Sequence, residues 1–330
     1  MAHDFDSGNN LNRRDFLRAA GAGTALVGAG SMLEGRQTGR SQPLPQRELG
    51  KTGVKVPIIG LGTAPAGHRD RKEAAAFFGE CLDAGVTYLD TAPELGGYGI
   101  AQRALGDVLK TRRKEAFLVT KCYEPDGEKA LALLKKNLQE LQTDRADVVY
   151  AHSIGADKMD LKTVLGKNGV MKALEKARDD GLTRFIGISG HNRPGKFLEV
   201  IREFEIDVMM NAVSYVSRHI YDFETKVWPA AHKRNIALVA MKVFGGMSGG
   251  SRQPKGGRLT ADDLLPAFRY AQSLPNISTV VLGMHDREEL QQNIAWARTY
   301  QPLSKNELKS LLAEGEKLAA QWGHVYGPVT

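Results

Sequence analysis

Three apolar runs of the chain each stop at a residue with acid–base capacity. Val86-Thr87-Tyr88-Leu89 stops at Asp90, Ala116 to Thr120 stops at Lys121, and Asp147 to Ala151 stops at His152. A Gly-rich turn following Asp90 carries Tyr98. Runs of this kind read as buried strands that deliver a side chain to a loop. As parallel neighbours they would bring Asp90, Lys121 and His152 to one rim, with Tyr98 in the adjoining loop. A free tyrosine titrates near pH 10, too high for efficient proton transfer at neutrality. A neighbouring ammonium, here Lys121, favours the phenolate, and Asp90 would keep that ammonium charged and fixed. His152 would donate a hydrogen bond to a carbonyl oxygen as negative charge grows on it. The set suits carbonyl reduction in which a nicotinamide supplies hydride and the protein supplies position and a proton.

The elements that must position these groups alternate regularly. The pattern predicts a small hairpin over Arg47–Val56 and then eight strand–helix pairs. The first pair is a strand over Ile58–Gly62 and a helix over Lys72–Ala84. The last is a strand over Thr279–Gly283 and a helix over Arg287–Ala297. One helix is predicted over Asp222–Arg234, and a final amphipathic helix over Ser304–Gln321. Strands alternating with helices imply a parallel sheet. Eight units in this length fit an α/β fold, a single closed (β/α)8 TIM barrel whose chemistry sits at the C-terminal strand ends. A doubly wound sheet would carry Gly-x-Gly-x-x-Gly after its first strand. Gly60-Leu61-Gly62-Thr63-Ala64-Pro65 lacks the last glycine.

Composition narrows the function. The chain is 42% hydrophobic and 25% charged, which argues against wholesale disorder. Its net charge of +7 is spread out, without a basic block interleaved with aromatics, so nucleic acid is not an expected partner. Two cysteines, Cys81 and Cys122, and scattered histidines offer neither a disulfide framework nor metal-ligand spacing.

The N-terminus reads as an address. Asn12-Arg13-Arg14-Asp15-Phe16-Leu17-Arg18 precedes an Ala/Gly-rich run, Ala19 to Leu33, too short to span a bilayer. It resembles the twin-arginine export signal, with Arg18 in place of the usual Lys. The expected division is signal and tail over 1–36, linker over 37–46 and barrel over 47–330. The expected location is the periplasm or its equivalent, with the export machinery as a partner.

From Arg47 to Ala297 the chain resembles the aldo-keto reductases. The resemblance rests on Arg-Glu-Leu-Gly-Lys-Thr-Gly near the start, Asp90-Thr91-Ala92, Thr120-Lys121, His152, Gly187-Ile188-Ser189, Asn211, and Gly283 followed by Asn293. It implies a barrel that binds extended NADP(H), with NAD(H) as the alternative, and uses Asp90, Tyr98, Lys121 and His152 as a catalytic tetrad. It places cofactor contacts at Gly62 and Thr63, at Ser189 and Asn211, and at Met241 and Lys242. Further contacts fall at Gly283, Met284, Arg287 and Asn293.

The sequence departs from the family pattern in four places. The family's tyrosine stands five residues after the aspartate, where this chain has Leu95; Tyr98 is the candidate acid and Tyr123 the fallback. Met241 stands where a tyrosine often stacks on the nicotinamide, and Lys242 is expected to approach a phosphate. The usual Ser-Asn reads Ser189-Gly190-His191-Asn192, with Asn192 as a candidate substitute. Glu289 occupies the position of the arginine that commonly selects the 2′-phosphate, leaving Arg287 as the nearby cation. The stretch from Phe244 to Gly257, with Arg252 and Lys255, is either a fold over the pyrophosphate or a surface loop. The expected activity is NAD(P)-dependent oxidoreduction of an aldehyde, ketone or sugar-like carbonyl. The alternative is a catalytically silent barrel that binds a nucleotide or a partner.

Overall fold

The computed structural model describes residues 43–245, 254, 256, 257 and 259–330. The expected signal and all but the last residues of the linker lie outside these, as do Arg252 and Lys255.

A two-stranded antiparallel hairpin comes first, β1 (Gln46–Glu48) against β2 (Lys55–Pro57), with Arg47 opposite Val56. Eight parallel strands then close into a barrel: β3 (Ile59–Gly62), β4 (Tyr88–Asp90), β5 (Phe117–Cys122), β6 (Ala146–Ala151), β7 (Thr183–Gly190), β8 (Val208–Ala212), β9 (Ala237–Met241) and β10 (Ile277–Gly283). They follow chain order around the ring, and β10 pairs with β3 to close it. This is the (β/α)8 architecture that the alternation predicts.

Helices cover the outside: α1 (Arg71–Asp83), α2 (Ala101–Arg112), α3 (Gly127–Glu140), the short α4 (Leu161–Leu165), α5 (Val170–Asp179), α6 (Pro194–Glu203), α7 (Phe223–Lys226), α8 (Trp228–Lys233), α9 (Ala261–Ser273), α10 (Arg287–Arg298) and α11 (Lys305–Trp322). Their starts are chemically marked. The Asp70 carboxylate accepts from the amides of Lys72 and Glu73 to open α1, and Ser304 with Glu307 forms a capping box on α11.

Apolar side chains separate into two clusters. One lies between the helices and the outer sheet face. The other fills the barrel interior with Tyr88, Val119, Tyr150, Val208, Met210, Val239 and their neighbours. A closed barrel demands this, because successive strand residues alternate between interior and exterior.

The predicted helix over Asp222–Arg234 is two helices. The first ends at Val227 (φ −115°), which caps both helices, and Pro229, which has no N–H to donate, stands in the first turn of α8. The sequence reading also missed α4 and the course of the last eight residues. Among the described residues, no helix is long and apolar enough to cross a membrane.

Candidate active site

Asp90 ends β4 and Lys121 sits near the end of β5, both almost completely buried. The Lys121 ammonium donates to Asp90 Oδ2 at 2.6 Å, to the Thr91 carbonyl at 2.9 Å and to the Tyr98 hydroxyl at 3.2 Å. The Tyr98 hydroxyl in turn donates to Asp90 Oδ2 at 3.5 Å. Lys121 also lies 4.8 Å from the centre of the Tyr98 ring, a cation–π contact. Three of the four predicted catalytic residues therefore meet around one ammonium.

A 3-10 turn over Glu94–Gly96 carries the chain outward and leaves Leu95, at the family's tyrosine position, 63% exposed. Gly97 and Gly99, at φ +83° and +48°, bring it back. Gly99 has no room for a side chain, since a Cβ there would stand 2.3 Å from the Gly67 carbonyl oxygen. The fallback residue, Tyr123, lies elsewhere on the rim. Its ring packs edge-on to His152 at 5.8 Å, under the Lys158 ammonium at 5.0 Å.

Electrostatics refine the expected roles. Burial raises the Tyr98 hydroxyl above its ordinary value; the Lys121 charge opposes this but does not reverse it. The expected net lowering of the Tyr98 pKa is thus not what the site produces, and the phenol stays protonated across neutral pH. Burial also raises the Asp90 carboxyl, against the pull of Lys121 and, further off, Lys242. Burial pulls Lys121 down, but Asp90 and Tyr98 outweigh it and hold the ammonium above its usual range.

His152 follows β6 directly, and its Nδ1 is 2.9 Å from Ser189 Oγ on β7. Ser189, expected at the cofactor, is therefore also the group that orients the histidine. Asn192 donates its amide to the Pro328 carbonyl at 3.2 Å, so its candidate role as the cofactor's amide partner gives way to holding the chain end.

The residues expected at the cofactor fit a nicotinamide. Asn211 at the end of β8 is fully buried; its Oδ1 accepts from Trp228 Nε1 at 3.0 Å, and its Nδ2 has no partner. An orphaned amide donor beside Ser189 suits a carboxamide oxygen. Gly62 stands in register between Asp90 and Gly283. A Cβ at Gly283 would press Pro65 Cγ at 2.9 Å, so backbone alone lines this edge. Thr63 bonds Thr91 Oγ1 at 2.8 Å. Met241 ends β9, largely buried, and Lys242 follows at φ +59°. Met284 and Asn293 are buried.

At the outer end of this row Arg287 is already engaged. Its guanidinium forms a two-pronged ion pair with Glu80 on α1, with Nε 2.6 Å from Oε2. Glu289 accepts from the His285 amide at 2.9 Å and lies 3.1 Å from His285 Nδ1. Asp286 caps α10 by accepting from the Glu289 amide.

Sequence reasoning missed the segment following α11. Tyr221 donates to the Gly327 carbonyl at 3.0 Å and accepts from the Tyr326 amide at 2.8 Å, while Arg193 donates to Thr330 O at 3.2 Å. Tyr326 is buried, packed 5.6 Å from His191, which lies 6.4 Å from His152. The inserted Gly190-His191 was the one signal available. It lengthens the loop that receives the chain end.

Comparisons with known proteins identify the family. Residues 58–261 match the model of the aldo/keto reductase family. The chain is 26% identical over 322 residues to pyridoxal 4-dehydrogenase of Microbacterium luteolum, spanning 76% of this chain and 92% of that protein. It is 27% identical over 227 residues to D-threo-aldose 1-dehydrogenase of a Pseudomonas species, spanning 58% and 67%. In fold it resembles the aldo/keto reductase from Klebsiella pneumoniae solved with NADP and acetate, with TM-score 0.63, 21% identity, and coverage of 80% and 93%. The chain belongs to the aldo/keto reductase family. It is an NAD(P)-dependent oxidoreductase of carbonyl compounds.

Proposed function

We propose that Tyr98 is the proton donor, Lys121 and Asp90 its electrostatic partners, and His152 the group that receives the carbonyl oxygen. The observation that carries this reading is the Lys121 ammonium, held at once by Asp90 and by the Tyr98 hydroxyl. In reduction the proton passes from the Tyr98 hydroxyl to the carbonyl oxygen, and the Lys121 N–H stabilises the phenolate left behind. With Nδ1 held by Ser189, Nε2 of His152 is the ring nitrogen assigned to the substrate carbonyl in this reading. The nicotinamide, when bound, supplies or takes up hydride. A silent barrel has no need for a protonated phenol on a buried ion pair.

The substrate class follows from the rim and the relatives. His152 and Tyr123, with His191 and Tyr326 packed beyond them, give the rim polar groups on neighbouring aromatic rings. Pyridoxal 4-dehydrogenase and D-threo-aldose 1-dehydrogenase are named for hydroxylated aldehydes. A hydroxylated, sugar-like aldehyde or its cyclic hemiacetal is the substrate proposed here. The cofactor proposed is NAD(H) in preference to the NADP(H) that the resemblance implies. Barrels of this kind commonly place phosphate at the loops after the seventh and eighth strands and a nearby helix N-terminus. Among the described residues, the start of α10 presents Asp286, Glu288 and Glu289, and the cation there, Arg287, is tied to Glu80. A 2′-phosphate would meet like charge.

We also propose that residues 1–36 carry a twin-arginine-type export signal. A folded protein exported with its nucleotide would need to hold that nucleotide tightly and recycle it in place, oxidising one substrate and reducing another.

Lys121→Met tests the assignment. Near-complete loss of reduction with nucleotide binding retained is the expected outcome. Removing one partner of a buried pair costs about 3–5 kcal/mol of stability, so folding is checked by circular dichroism at the assay temperature. Near-normal turnover refutes the roles.

A further inference from the structure

Beneath the rim the barrel holds two more phenols. Tyr88 precedes Asp90 by two residues on β4, and Tyr150 precedes His152 by two on β6. Strand side chains two apart share a face, so both rings lie inside the barrel below the residues at the rim. Tyr150 also stands in register with Lys121. Neither ring is exposed, and their hydroxyls are 3.2 Å apart. The fold makes room for them with glycines. A Cβ at Gly60 would stand 2.7 Å from Tyr88 Cδ1, and one at Gly187 would stand 2.8 Å from Tyr150 Cε1. Tyr88 is stacked on Phe117 at 5.3 Å.

Phenylalanine would fill this space without burying a hydroxyl, so the polar atoms need an account. Two hydroxyls carry two protons, and their mutual bond uses one. The other has no acceptor among the described residues. Of the buried side-chain oxygens without a partner, which include Gln272 Oε1 and Thr279 Oγ1, Asp90 Oδ1 is the one on the strand of Tyr88, whereas Asp90 Oδ2 takes both Lys121 and Tyr98. The Asp90 charge acts on both phenols. A buried carboxylate oxygen left bare is costly, and a spare phenolic proton within its field is equally out of place.

We propose that Tyr88 and Tyr150 are positioning residues. Tyr150 donates to Tyr88, and Tyr88 gives its proton to Asp90 Oδ1 through one buried water. The bond fixes the carboxylate from below so that Oδ2 faces Lys121 and Tyr98, and it favours the ionised form. This rests on the tetrad reading above. The groups that face Asp90 are then Lys121 from β5, Tyr98 from the loop after β4, Lys242 from the end of β9, and the two phenols from inside the barrel.

Tyr88→Phe and Tyr150→Phe test it in the full-length enzyme, since each keeps its ring and removes one hydroxyl. A hydrogen bond to a charged group, once removed, moves a titration by about one to two pH units. Without its donor Asp90 protonates more readily. The acid limb of kcat/KM for Tyr88→Phe should therefore move up by about that amount, with kcat at neutral pH down about tenfold and KM nearly unchanged. Tyr150→Phe should move the limb in the same direction by less, because Tyr88 keeps its own proton. An unmoved acid limb in Tyr88→Phe overturns the proposal, even if kcat or the melting temperature falls, because packing alone would do that. If Tyr88→Phe does not fold, an unmoved limb in Tyr150→Phe overturns it. Lys121→Met separates this from the tetrad: turnover in that variant sinks the tetrad, whereas its loss alongside an unmoved limb in the phenol variants sinks only the floor.

Discussion

Tyr98→Phe removes a single oxygen from the proposed acid and leaves the ring. In the structure that oxygen accepts from Lys121 at 3.2 Å and donates to Asp90 at 3.5 Å. The ammonium keeps its 2.6 Å bond to Asp90 and its 2.9 Å bond to the Thr91 carbonyl, and the ring stays under the charge at 4.8 Å. The fold should therefore lose no more than one longish hydrogen bond, about 1 kcal/mol, a few degrees of melting temperature at most. Chemistry should lose much more. A positioned proton donor contributes about 10²–10⁴ in rate, equivalent to about 2.7–5.5 kcal/mol in the barrier. The assay is single-turnover reduction of a hydroxylated aldehyde with saturating cofactor, followed by nicotinamide absorbance, with nucleotide affinity measured separately. Wild type should hold its reductive rate up to alkaline pH, because the Tyr98 pKa lies above the ordinary tyrosine value and the donor stays protonated. Tyr123→Phe, on the His152 side of the rim, should react at nearly the wild-type rate. A large loss in Tyr123→Phe with a normal rate in Tyr98→Phe would refute the choice of acid.

Other perturbations follow from neighbouring contacts. Wild type should bind NADH more tightly than NADPH, and the double variant Glu80→Gln, Glu289→Gln should shift the ratio of affinities towards NADPH by about five- to tenfold, a like charge at contact in water being worth about 1 kcal/mol. Calorimetric titration with both nucleotides checks this, and an unchanged ratio counts against the acidic end as the selector. Burial raises the Glu224 carboxyl to about 7, and the Tyr270 hydroxyl donates to it at 2.9 Å. A group whose folded value is raised contributes stability present below its unfolded value and lost as pH rises through the folded one. The melting temperature should therefore decline from about pH 4.5 upwards through 7, and Glu224→Gln should flatten that decline; parallel curves would refute it. Arg13→Lys with Arg14→Lys should keep the protein in the cytoplasm, whereas wild type should be exported and carry nucleotide through gel filtration. Wild type found in the cytoplasm with its N-terminus intact would refute the address.

The barrel was legible because its pattern is redundant. Eight buried strands need eight apolar runs, and each helix needs an apolar stripe, so a boundary missed by two residues changes nothing. The lapses fall where no such pattern exists. The break at Val227 depends on one backbone angle and the proline beyond it. The chain end after α11 has no periodicity; it is held by Tyr221, Asn192 and Arg193, residues far away in sequence. Likewise nothing local in Arg287 shows that Glu80, two hundred residues earlier, already holds it.

The site was legible to the extent that strands placed it. Asp90 ends β4, Lys121 is the last residue but one of β5 and His152 follows β6, so register brings them to one rim. Tyr98 is carried by a loop, where spacing along the chain is a poor guide to position. A tyrosine three residues beyond the family's place would be misplaced if the loop ran straight. The loop instead uses the extra length in a 3-10 turn over Glu94–Gly96, reverses at Gly97 and Gly99, and presses Gly99 against Gly67. The hydroxyl thereby reaches Lys121, and Leu95 is left at the surface. What the chemistry requires is a phenol within hydrogen-bonding distance of a buried ammonium, and two glycines free to adopt positive φ supply that distance from a different starting residue.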